Sequence, residues 1–162
     1  MHAALLPWAL WLEQSSVGVA ARTSSWIYPT AEIGHLLGLG LLVGSAVGFD
    51  LRLLGLAPRL PVDALAAHLL PIARAGFALS FTTGLLLLAA NATSLLTTVF
   101  AVKLAAIAVG VVNASLFHRG VFRSVARWNV EQAMPHAARR TAVVSLVSWT
   151  VAVACGRLLA YL

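Results

Sequence analysis

The sequence predicts an all-α integral membrane protein: a bundle of four transmembrane helices preceded by a short interfacial helix. Three observations carry this expectation. Hydrophobic residues make up 60% of the 162 and charged residues only 10%, against about 25% charge in an ordinary soluble domain. The apolar residues gather into four runs, each near the roughly 20 residues that cross a bilayer. Most of the 11 Lys and Arg residues behind the +6 formal charge fall in two short connections between those runs. That placement is a topology signal, so the partner is the lipid bilayer and not nucleic acid.

Residues 1–27 read as an N-terminal interfacial segment and residues 28–162 as the four-helix transmembrane domain. Met1 to Ala4 carries no Lys or Arg, and Glu13 ends the first apolar stretch. That departs from a secretory signal, and the segment is expected to be retained. Leu5, Trp8 and Leu12 recur at helical spacing, Pro7 suits a first turn, and the polar Glu13 to Ser16 follow, as in a helix lying in the interface. His2 is expected at the surface. Tyr28-Pro29-Thr30 reads as a helix entry with Thr30 as N-cap, and the first span runs from there to Phe49. After a turn over Pro58 to Asp63, the second span runs from Ala64 to Ala90 and stops at Asn91. The third extends from about Leu95 to Phe117, and the fourth from Pro135, suited to a helix start, to Leu162.

Arg52 and Arg59 lie between spans one and two. Arg119, Arg123, Arg127, Arg139 and Arg140 lie between spans three and four. The positive-inside rule makes both connections cytoplasmic and both termini external. Arg123, Arg127 and Glu131 are four apart, which predicts that the third helix continues past the membrane with Arg127 and Glu131 paired. Gly34 and Gly38, then Gly40, Gly44 and Gly48, and on span two Gly76, Ser80 and Gly84, repeat every four residues. Small residues so spaced let helices approach closely in lipid, here within one bundle or across a homo-oligomer contact. Thr141, Ser145, Ser148, Ala152 and Cys155 form a similar face on span four. Trp8, Trp11, Trp26, Tyr28 and Trp128 are placed as an interfacial aromatic belt, and Asn113 as an interhelical hydrogen bonder.

Several short pieces share an order with a known type: His35-Leu36-Leu37-Gly38, Gly44 and Asp50 to Gly55; Ala75-Gly76-Phe77 through Thr83-Gly84; Lys103 with Asn113; and Arg140 through Trp149 to Gly156-Arg157. Together, over about Tyr28 to Leu162, they resemble the membrane domain of the copper-resistance protein D type and small bacterial four-helix proteins related to it. The resemblance implies copper handling or redox chemistry at the bacterial inner membrane. With Met1 and Met134 the only methionines, the chain lacks a Met-rich copper tract.

An ionisable side chain within a span is costly and marks a candidate site. Glu32, His35, Lys103 and Arg157 fall at one outer level, which predicts a metal or proton site at His35 and Glu32 and an ion pair from Glu32 to Lys103 or Arg157. A second level holds Asp50, Arg74, His68, His118 and His136. Asp50 and Arg74 are candidates for an ion pair, and the three histidines for haem b or transition-metal ligation, since two imidazoles on facing helices suffice for haem. The lone Cys155 excludes a disulfide framework and any CxxC motif. No nucleophile, base and oxyanion constellation points to a hydrolase. Three functions follow: metal or electron handling through an intramembrane His and carboxylate site, a haem b electron-transfer subunit, or a non-catalytic packing subunit of a membrane complex.

Overall fold

The computed structural model describes residues 2–161, with side chains from Leu5 onward; the side chain of His2 lies outside the described residues. Seven helices and no strand occur among the described residues. They are α1 (His2–Gln14), α2 (Ser16–Thr23), α3 (Ile27–Leu53), α4 (Val62–Ala90), α5 (Thr98–Arg119), a 3-10 helix over Val121–Arg127, and α6 (His136–Leu158). The helices α3, α4, α5 and α6 are each long and apolar enough to cross a membrane, the pattern of a multi-pass membrane protein.

Local chemistry explains most boundaries. Thr97 caps α5 by accepting the Phe100 N–H at 3.1 Å, and Ser15 caps α2 by accepting from Gly18 at 3.1 Å. Pro135 stands immediately before α6, close to its expected place. The entry to α3 differs from expectation: Thr30 lies inside the helix, and its hydroxyl donates to the Trp26 carbonyl at 2.6 Å. Ser24 accepts from Trp26 and Ile27 instead, so the helix starts earlier and Pro29 sits in its first turn, where no N–H is required. Pro7 falls beyond the first turn of α1, which begins as early as His2. The third span stops at Arg119, where the backbone turns at Gly120 and tightens into the 3-10 helix. Glu131 therefore never reaches Arg127; it pairs with Arg59 at 3.4 Å across the two loops.

Two helical hairpins make the bundle. The helices α3 and α4 pack most extensively, α5 pairs with α6, and the hairpins meet along α3 and α6. The α3–α4 seam is the Gly38–Gly76 crossing. A Cβ on Gly38 would stand 2.6 Å from the Ser80 nitrogen, and one on Gly76 would stand 2.6 Å from the Leu42 nitrogen. By contrast, Gly40 and Gly44 have open space around them, so only part of the expected small-residue face is used inside the bundle. On α6 the small face packs as expected, with Ser145, Ser148, Ala152 and Cys155 buried.

Each end of the bundle is tied separately. At the N-terminal end, Glu13 accepts from both the backbone and the hydroxyl of Thr93 at 2.7 Å, while Arg22 donates to Ala90 and Glu13 carbonyls. Together these dock α1 and α2 on the α4–α5 turn. Trp8, Trp11 and Trp26 remain exposed, consistent with an interfacial helix. At the arginine-rich end, Leu53, Val62, Phe117, Trp128, Met134, Ala138 and Ala142 form a compact core. Trp128 is 4% exposed, so it belongs to this plug and not to the aromatic belt.

The Thr93 hydroxyl, then the Thr93 N–H, and Arg22 nearby hold the Glu13 carboxyl below its usual value. A lowered acid stabilises the docked state above its ordinary value and loses that contribution as pH falls through the lowered one. Acidification below the usual carboxylate range is therefore expected to loosen α1 and α2. Faster amide exchange at Gly18 to Arg22 at low pH, abolished in Glu13→Gln, would show it.

Candidate functional site

Polar side chains from α3, α5 and α6 line a cavity of about 110 Å³ between the four spans near the arginine-rich end. Its polar lining is Ser45 and Asp50 from α3, Asn113 and His118 from α5, and Thr141 and Ser145 from α6. Asp50 is 4% exposed, and its Oδ2 has no hydrogen-bond partner among the described residues. Ser145 stands beside the carboxyl. Asn113 donates to the Thr141 carbonyl at 3.0 Å, the interhelical bond expected of it. That bond uses the amide nitrogen and leaves the oxygen as an acceptor. His118 is wedged among Phe49, Phe117 and Phe122, with ring centroids 6.3, 5.3 and 5.1 Å away.

The other expected pairings do not form. Among the described residues the ion pairs are Arg22–Glu13 and Arg59–Glu131. Arg74 is exposed on α4 and leaves Asp50 unpaired. His68 and His136 are also exposed, and His118 alone of the three lines the cavity. They sit on helix surfaces near the chain's turns, where water or headgroups can solvate an imidazole.

At the other level, His35 points into the bundle as expected. Its Nδ1 lies 2.8 Å from the Ser80 carbonyl, so Nδ1 carries the proton and donates, with Ser80 and Thr83 hydroxyls at 3.3 and 3.4 Å. Gly84 clears space for the ring: a Cβ there would stand 3.1 Å from His35 Cε1. Glu32, however, is exposed and pairs with neither Lys103 nor Arg157. The Lys103 Nζ lies against Gly156, and Arg157 bonds the Tyr161 hydroxyl and covers its ring at 4.7 Å. His35 thus serves the α3–α4 contact without a carboxylate beside it.

The match to known families falls on nearly this whole chain: the DUF6644 family, described as a family of unknown function, covers residues 8–162. The chain belongs to the DUF6644 family. No curated protein and no solved structure matches it. The matched span contains α3 to α6 and hence every residue of the cavity. The sequence places Asp50 and His118 at one level, Asp50 as an ion-pair candidate and His118 as a ligand candidate. Their sharing of one cavity with Ser45, Thr141 and Ser145 had no local signal, because it depends on how two hairpins meet.

Proposed function

We propose that this chain is a small multi-pass protein of the bacterial inner membrane that handles a proton at Asp50, inside its bundle. The supporting observation is the buried carboxyl oxygen without a partner. A carboxylate left so in a low-dielectric interior is costly, while the protonated acid is tolerated. Asp50 therefore suits a group that gains and loses a proton with its surroundings. His118, on the wall of the same cavity, is the second group able to carry one. Such a pair serves proton-coupled transport or a proton-coupled redox partner.

The arginine-rich loops favour an orientation with that end in the cytoplasm and both termini outside. A cysteine at position 59, in a Cys155→Ser background, is expected to resist impermeant maleimide in intact spheroplasts and react after lysis. Labelling before lysis would invert the orientation.

Copper and haem, implied by the resemblance to the copper-resistance protein D type, fit these residues less well. No three His, Cys, Asp or Glu side chains come together among the described residues, and Met134 lies 3.8 Å from the Arg52 guanidinium. A bis-histidine haem site would need a second imidazole facing His118, and His68 and His136 are exposed.

Dicyclohexylcarbodiimide, which enters membranes and reacts with the acid form of a carboxyl, tests the proton site. Asp50 is expected to be the main labelled residue, less so as pH rises. Labelling that is unchanged in Asp50→Asn would refute the proposal.

A further inference from the structure

The cavity is closed toward the arginine-rich end and open at its side. Toward that end it meets the core of Leu53, Phe117, Trp128 and Met134. Beyond it the loops are pinned by Arg52, which donates to the carbonyls of Leu60, Pro58 and Asn129. At its side, α4 makes no backbone contact with α5 or α6, although α4 and α5 both line the cavity. From α4 the lining is Ala66, Leu69, Leu70 and Ala73, and from α5 it includes Ala114. In a four-span bundle such a gap faces the lipid acyl chains.

The lining is that of a cation site. Phe49, Phe117 and Trp149 line the cavity together with Asp50, whose Oδ2 has no hydrogen-bond partner among the described residues. An aromatic ring attracts a quaternary ammonium through its negative face, and a buried carboxylate lacking a counter-ion favours a positive one. The charged or titratable groups that face Asp50 are few. His118 comes from α5, Arg74 of α4 lies within electrostatic reach of His118, and α6 contributes only hydroxyls and Trp149. The neighbouring Arg52 side chain is turned into the loops.

We infer that the cavity binds a single-chain lipophilic cation, which enters from the bilayer between α4 and α5 and sets its positive head against Asp50. The inference rests on the reading of Asp50 as a proton site. Binding breaks the carboxyl O–H bond and releases one proton to water, leaving the carboxylate as counter-ion to the bound head. The same aspartate then holds a proton or the cation, never both.

The probe is tritiated dodecyltrimethylammonium, kept below its micellar concentration, with the protein in nanodiscs and dodecyl maltoside as an uncharged control of equal chain length. Saturable binding near one per chain is expected, with about one proton released per cation in lightly buffered medium and no competition from the maltoside. Asp50→Asn keeps the side-chain size and is expected to weaken binding tenfold or more. Phe49→Leu retains the carboxyl and is expected to weaken it several-fold. Binding that persists unchanged in Asp50→Asn, or that releases no proton, overturns the inference. So does absent binding in a protein whose Asp50 still reacts with carbodiimide, an outcome that leaves the proton site standing. Absence of both would remove both readings.

Discussion

Gly38→Val is expected to break the α3–α4 hairpin, whereas Gly40→Val, two residues along the same helix, is expected to change little. The Gly38 Cβ would stand 2.6 Å from the Ser80 nitrogen and 2.8 Å from the Gly76 carbonyl oxygen. Those atoms are backbone, and no rotamer change relieves them. Ordinary overpacking of side chains costs about 1–3 kcal/mol; here the two helices must move apart, which strips the whole seam. Nothing lies within 4 Å of a Cβ on Gly40, and valine there meets no other helix. Unfolding in detergent should show a large loss of stability for Gly38→Val and a change within about 0.5 kcal/mol for Gly40→Val. Equal stabilities would mean that the two helices cross elsewhere.

Arg52→Met is expected to release the loops at the arginine-rich end. Arg52 is 2% exposed, with Nε 2.7 Å from the Leu60 carbonyl and Nη2 3.0 and 3.1 Å from those of Pro58 and Asn129. One guanidinium thus ties the α3–α4 loop to the chain before α6. Bonds to a charged donor contribute about 1.5–3 kcal/mol each. Methionine keeps much of the apolar stem and loses all three, so a destabilisation of about 3 kcal/mol or more is expected. Proteolysis at Arg59, whose side chain is 91% exposed, should quicken in step. Arg52→Lys is expected to recover only part of the loss, because an ammonium cannot reproduce the planar fork. Wild-type stability in Arg52→Met would show that the loops hold without it.

The spans were legible because apolar length and flanking arginines encode them directly. Legibility ended where burial depended on tertiary arrangement. Glu32 and Asp50 illustrate this, since 18 residues of α-helix is about five turns and places both on one face of α3. Periodicity gives them the same orientation, yet Glu32 is exposed and Asp50 is 4% exposed. The difference comes from what covers each end: the plug of Leu53, Val62, Phe117 and Trp128 lies at Asp50, and no equivalent covers Glu32. The Arg127–Glu131 pair failed for a related reason, since four-residue spacing brings side chains together only while the chain remains helical, and Gly120 ends the helix first. His35 was correctly placed inside the bundle, because a polar ring beside the Gly38 seam finds its acceptor in the Ser80 carbonyl.

Proton exchange at Asp50 inside the bundle is read directly by infrared difference spectroscopy between acid and alkaline pH. A protonated carboxyl in an apolar site shows a carbonyl stretch set apart from solvated carboxylates. This band is expected to disappear on raising pH and to be missing from Asp50→Asn at every pH, with the amide bands unchanged. A band that persists in Asp50→Asn, or none at any pH in the wild-type protein, would contradict it.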